Sequence, residues 1–257
     1  MSDSATTARA LFSVTSSQRV FDGAVTAVRI DDVVMPDGKT AKREVVEHDN
    51  AVAIVALDWA GGAGADADPD PNSEPTVILI EQYRHPLGRR LWELPAGLMD
   101  VDGEGAQQTA ARELVEETGY AAANWSVLVD VAPSPGFSEE IVRIFLATDL
   151  TRVGRPHPGD HEEAELRVVL VPLSTAVQAV LDGRIVNGMA VSGLLAASGP
   201  CARVRSSACT PETCRGRALP APTSRGRLSL REQRIGDGSV IGDRPGRRPS
   251  TGRRHTR

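Results

Sequence analysis

From Arg19 to His48 apolar and polar residues alternate in two runs, and the tetrapeptide Pro36–Lys39 between them, PDGK, is a turn signal. This pattern predicts a small antiparallel hairpin or meander. AVAIVALDW (Ala51–Trp59) and TVILIEQYR (Thr76–Arg84) follow, apolar and β-branched enough to be strands. The segment between them, AGGAGADADPDPNSEP, carries Gly, Asp and Pro but no core residue, and predicts an exposed, mobile loop. The period then changes. Ala110, Ala111, Leu114 and Val115 form a stripe at helical spacing and Gly119 is a stop, so Thr109–Thr118 reads as a helix. Strands are predicted near WSVLVDVA and EIVRIFLATDL, then a polar loop, RVGRPHPGDHEEAE, then a strand in LRVVLVPL. The stretch STAVQAVLDGRIVNGMAVSGLLAAS reads as two helical segments broken near Asp182-Gly183. Strands, helix, strands and helices in that order predict an α/β or α+β sandwich. No internal repeat is present.

Composition bounds the function without naming it. The 257 residues are 40% hydrophobic and 25% charged, ordinary for a globular chain long enough to bury a core. No apolar run approaches the roughly 18 to 20 residues that cross a bilayer. The start, MSDSATTARALFSV, lacks the basic-then-apolar order of a secretory signal. The expectation is a cytoplasmic protein with no membrane partner. The net charge of −5 is divided along the chain. From Cys201 onward Arg is abundant, Lys absent, and Glu212, Glu232, Asp237 and Asp243 are the acids; the body is correspondingly acidic. All three cysteines (Cys201, Cys209, Cys214) lie in that tail, so no disulfide framework supports the body. The tail has no sustained apolar period and is expected to be disordered. Three origins fit it: a shifted reading frame of a GC-rich gene, an ordinary disordered tail, or a basic arm for a polyanion. The lack of Lys and of interleaved aromatics argues against a nucleic-acid partner.

The densest chemistry is LPAGLMDVDGEGAQQTAARELVEETGY, Leu94–Tyr120. Glu113, Glu116 and Glu117 share one helical face. Like charges at that spacing cost a bare helix some tenths of a kcal/mol per pair. Either the face is simply solvated, or it meets hard divalent cations, which take oxygen ligands and accompany substrate phosphates. Arg112, four residues before Glu116, can pair with it and fix one carboxylate.

Glu104, Arg112, Glu113, Leu114, Glu116, Glu117, Gly119 and Tyr120 follow the order E-x7-REL-x-EE-x-GY, which resembles the signature of Nudix hydrolases. Gly97 precedes Glu104 by six intervening residues where the signature has five. That is one extra residue in the loop LMDVDG, where length costs little. The resemblance implies an α/β fold: an α/β/α sandwich with a mixed sheet, preceded here by a small antiparallel β segment at the N-terminus. Residues 1–15 would be a flexible lead-in, 16–48 the N-terminal β segment, 49–198 the hydrolase domain and 199–257 the tail. The resemblance also implies hydrolysis of a nucleoside diphosphate derivative with Mg²⁺ or Mn²⁺. Glu113 and Glu117 would be metal ligands, with Glu116 assisting and the carbonyl of Ala96 a further ligand. Arg112 would orient the helix carboxylates, and Glu104 would hold the loop or the outer metal shell.

WELPAG, EQYR and the PGFSEE element at Pro135 together resemble the ADP-ribose pyrophosphatase group, most closely its actinobacterial members, over about Arg19–Ala197. In that group the general base comes from a separate loop. The matching residues here are Glu162, then Glu163, with Glu165 less favoured. Arg84 resembles the phosphate-contacting arginine and Arg43 an arginine near the adenosine. Phe21 is a candidate adenine stacker, a core role being equally open. Glu139 and Glu140 resemble acids that bind the terminal ribose. The resemblance further implies a homodimer with a swapped N-terminal segment. The substrate would be ADP-ribose, split to AMP and ribose 5-phosphate. The alternatives are another nucleoside diphosphate sugar or dinucleotide, or a non-catalytic sensor of ADP-ribose.

Overall fold

The computed structural model describes residues 12–59, 74–156 and 166–199. The Gly/Asp/Pro segment after Trp59, the acids Glu162, Glu163 and Glu165, and the tail from residue 200 lie outside the described residues. Strands β1 (Ser13–Asp22), β2 (Ala27–Val34) and β3 (Thr40–Glu47) form an antiparallel three-stranded sheet. The PDGK turn joins β2 to β3: Gly38 N–H donates to Met35 O and Met35 N–H to Lys39 O. Every residue of β1 is exposed, including Val14, Val20 and Phe21.

The remaining strands are β4 (Ala51–Asp58), β5 (Thr76–Arg84), β6 (Arg89–Glu93), β7 (Ala96–Leu98), β8 (Tyr120–Val131), β9 (Val142–Arg152) and β10 (Arg167–Pro172). The helices are α1 (Ala106–Thr118), α2 (Leu173–Leu181) and α3 (Gly188–Ser198). These strands make one seven-stranded sheet with a central path β10-β5-β4-β9-β8; β6 pairs with β5 and β7 with β4. The sheet is mixed, because β4 and β9 run parallel while its other paired strands are antiparallel.

β4 explains the layering. Val52, Ile54 and Ala56 pack with Ala110, Leu114 and Phe145 on the α1 side. Ala53, Val55 and Leu57 pack with Leu94, Ala176 and Leu194 on the α2/α3 side. A strand covered on both faces needs no polar alternation, which is why AVAIVAL is continuously apolar. The helices on its two faces give the α/β/α sandwich expected from the sequence. Gly193 lets α3 lie against the sheet: a Cβ there would come within 2.7 Å of Leu94 and 2.9 Å of Val55.

Two boundaries differ from the sequence pattern. α1 begins at Ala106, ahead of Thr109, because Gly105 N–H donates to Gln108 Oε1 at 2.8 Å and starts the turn before the apolar stripe does. β8 begins at Tyr120, ahead of the WSVLVDVA run, because antiparallel pairing with β9 extends through an Ala-rich stretch with little strand propensity of its own.

Candidate active site

α1 carries the acidic face. Its apolar residues Ala110 and Leu114 are fully buried, so the helix is held at a fixed rotation against the sheet. Gly119 ends it at φ 75°, a left-handed conformation that costs glycine nothing, and its N–H caps Val115 O. Thr109 Oγ1 donates to Glu104 Oε2 at 3.0 Å and ties the preceding loop to the first turn.

Arg112 gathers the carboxylates. Its Nε donates to Glu104 Oε1 at 3.2 Å and its Nη2 to Glu104 Oε2 at 3.1 Å. Its Nη1 donates to Glu113 Oε1 at 2.7 Å and to Glu116 Oε2 at 3.0 Å. The bond to Glu104 raises the arginine's pKa above its ordinary value; burial opposes this, and Glu113 and Glu116 add to it. In return Arg112 holds the Glu104 carboxyl below the usual carboxylate range, outweighing burial, with Thr109 assisting.

β7 brings backbone to the same place. Ala96 N–H donates to Glu117 Oε2 at 2.9 Å, and Glu117 is only 6% exposed. Gly97 lies directly beneath Glu113: a Cβ on it would overlap the Glu113 carboxyl. Pro95 O accepts from Ile54 N–H at 2.8 Å, which fixes this short strand to the centre of the sheet. Ala96, Glu113, Glu116 and Glu117 are thus brought together around Gly97 and Arg112. Among the described residues no three His, Cys, Asp or Glu side chains converge as a ready ligand set. Arg112 draws Glu113 and Glu116 toward itself, and the Ala96 N–H draws Glu117. The donors are nonetheless all hard oxygens, three carboxylates on one face of α1 and a carbonyl of β7, and Gly97 leaves room for the Glu113 carboxyl. The set therefore fits a hard divalent cation.

Arg84, at the end of β5, is locked to Glu93 by two hydrogen bonds. Glu139 and Glu140 follow the Ser134–Ser138 turn, where Val46 N–H donates to Phe137 O at 2.7 Å and β3 is bridged to Ser138. Glu139 Oε2 accepts from Arg29 Nη1 at 3.1 Å, and Glu140 lies 3.7 Å from His48 Nδ1. Phe21 is exposed on β1 and is no core residue in this chain. Arg43 is exposed on β3; it donates to Lys42 O at 2.9 Å and contacts Met35 Sδ at 3.8 Å, both within the small sheet. Phe21 and Arg43 are therefore on the N-terminal sheet and not among the α1 carboxylates.

Sequence reasoning missed Arg29 and Glu93. Arg29 joins Asp31, Glu47 and Glu139. Burial alone would lower its pKa, but the bonds to Glu47, Asp31 and Glu139 hold it above the ordinary arginine value. Glu93 carried a signal, an acid set between Trp92 and Leu94 in an apolar stretch.

A family model described as NUDIX domain matches residues 69–187. The ADP-ribose pyrophosphatase of Mycobacterium tuberculosis is 49% identical over 72% of this chain and 82% of its own length. A methanol dehydrogenase activator of Bacillus methanolicus is 34% identical over 68% of this chain and 86% of its own. A crystal structure of an ADP compounds hydrolase superposes with a TM-score of 0.60 at 21% identity, covering 76% of this chain and 94% of the other, a likeness of fold.

Proposed function

The chain belongs to the Nudix hydrolase family, and on that footing we propose that it hydrolyses the diphosphate of ADP-ribose to AMP and ribose 5-phosphate. The observation that carries the substrate is the 49% identity to the M. tuberculosis ADP-ribose pyrophosphatase over most of both chains. Nudix hydrolases need a divalent metal; Mg²⁺ or Mn²⁺ would be held here by Glu113 and Glu117 with Glu116 and the Ala96 carbonyl. Bound there, the ion supplies charge neutralisation of the diphosphate and an acidified water.

The protein's own residues do the rest. Arg112 keeps like-charged carboxylates together on one turn of α1. Glu117, anchored on Ala96 N–H, and Glu113, seated over Gly97, are held before any ligand arrives. Arg84 offers a guanidinium fork to the phosphate oxygens. Glu162, or Glu163 beside it, would accept the proton of the attacking water. Glu139 and Glu140 bind the terminal ribose, and Arg43 and Phe21 the adenosine, in a cytoplasmic homodimer whose N-terminal sheet reaches the partner's site. The exposed apolar residues of β1 support that pairing, because a second copy would cover them.

AMP released from ADP-ribose in Mg²⁺ tests the reading. Glu117→Gln should lower kcat by at least about 100-fold, since it removes a charged donor, and excess EDTA should abolish turnover. Undiminished turnover in either case refutes the metal assignment. A second reading is a Nudix-fold sensor that acts on a partner protein, a class to which the name of the methanol dehydrogenase activator points; in that case ADP-ribose binds and no AMP appears.

A further inference from the structure

Glu93 is a charged side chain outside the signature, on β6 between Trp92 and Leu94, and only 2% of it is exposed. A carboxylate taken that far from water is costly unless an opposite charge and hydrogen bonds compensate it. Arg84 supplies both. Its Nε donates to Glu93 Oε1 at 2.9 Å and its Nη2 to Oε2 at 2.6 Å, a two-pronged arrangement that fixes the plane as well as the position of the guanidinium.

The two residues are not cross-strand neighbours. The β5–β6 register sets Arg84 opposite Arg89 and Glu93 opposite Ile80, so the arginine side chain lies back along the hairpin to reach its partner. It still keeps 43% of its surface exposed, whereas the Glu93 side chain keeps 3%. One end of the pair is rooted in the core and the other meets solvent. Just past Glu93 the same stretch of chain reaches Ala96, whose N–H holds Glu117 at 2.9 Å. The segment Glu93–Ala96 thus sets the direction of the arginine and the position of a signature carboxylate together.

We propose that Glu93 is a positioning residue: its buried carboxylate aims the Arg84 guanidinium and thereby sets where a substrate diphosphate is held relative to Glu113 and Glu117. This rests on the reading that Arg84 meets the diphosphate. A long, solvated arginine samples many rotamers; one held through both Nε and Nη2 arrives pre-oriented, and misplacement of such a group is felt in the rate.

The test measures kcat and KM for ADP-ribose in Mg²⁺, and thermal melting, for wild type, Glu93→Gln, Arg84→Ala and the double variant. Glu93→Gln keeps the shape and removes the charge, and is expected to lower kcat/KM by about 10- to 100-fold, mainly through KM. On the Arg84→Ala background the same change should cost no further kcat/KM, because the residue it aims is gone. It should also raise the melting temperature above that of Arg84→Ala alone, which leaves the buried charge without this arginine. A Glu93→Gln loss that persists in full on the Arg84→Ala background overturns the proposal, as do wild-type kinetics in Glu93→Gln. Should Glu93→Gln not fold, Glu93→Asp keeps the charge and draws its oxygens back by one methylene; a raised KM supports the proposal and a wild-type KM overturns it. Wild-type protein that releases no AMP from ADP-ribose refutes the functional reading and this assignment with it. Wild-type turnover with Glu93→Gln unaffected refutes this assignment alone.

Discussion

Glu104 shows how one residue can join a loop to a helix by charge. It receives two bonds from Arg112 and one from Thr109, and its carboxyl is held below the usual carboxylate range, chiefly by Arg112. A carboxyl whose folded pKa is depressed stabilises the fold above its unfolded pKa, and loses that contribution as pH falls through the folded value. Wild-type melting temperature should therefore drop on acidification from neutral to about pH 3 more steeply than that of Glu104→Gln. Melts of both proteins across that range provide the check, and parallel curves would refute the linkage. Arg112, Glu113 and Glu116 are legible in the sequence because helical spacing converts directly into adjacency, whereas Glu104, in the loop before α1, is legible only through the Nudix signature. The pairings Arg84–Glu93 and Arg29–Glu139 are not, because they depend on strand register and on a contact spanning 110 residues.

Among the elements, α3 shows what local pattern conveys and what it hides. The apolar run after Asn187 reads as a helix, and Asn187 Oδ1 caps it by accepting from Met189 N–H and Ala190 N–H, each at 3.0 Å. That its backbone presses on the sheet at Gly193, against Leu94, Val55 and Ile144, is visible only in three dimensions. Gly193→Ala is expected to improve helix propensity by up to about 1 kcal/mol and to cost more than that, about 1–3 kcal/mol, by overpacking. Chemical denaturation measures the net loss; a gain in stability would mean that the sheet yields to the extra methyl. The strands divide in the same way. β4 announces itself by an apolar run, whereas β7 is too short to carry a pattern and exists by pairing with β4 at Ala51, Val52 and Ala53.

For the molecule as a whole, the order of elements discloses the sandwich, and the acidic signature discloses the family to which the chain belongs. How the small N-terminal sheet is used is not written in either. In the single chain β1 exposes Val14, Val20 and Phe21 on a ten-residue strand, a surface that isolated soluble strands seldom leave open. If a second copy covers it, equilibrium sedimentation should give twice the chain mass, and Val14→Glu with Val20→Glu should return it to one; a monomeric wild type contradicts the homodimer. The parallel pairing of β4 with β9 has a consequence in time. Asn50, just before β4, bonds to Ile141, 91 residues later. At a synthesis rate of about 5–20 residues per second, β4 leaves the ribosome roughly 5 to 20 seconds before its central neighbour exists. Throughout that interval AVAIVAL, an uncharged apolar heptapeptide, can pair only with β5 near Leu57 and with β7 at Ala51–Ala53, and the edge that β9 will cover stays open to self-association. Asp49 and Asp58 flank the run, where charges of one sign oppose such self-association until the sheet closes over the strand.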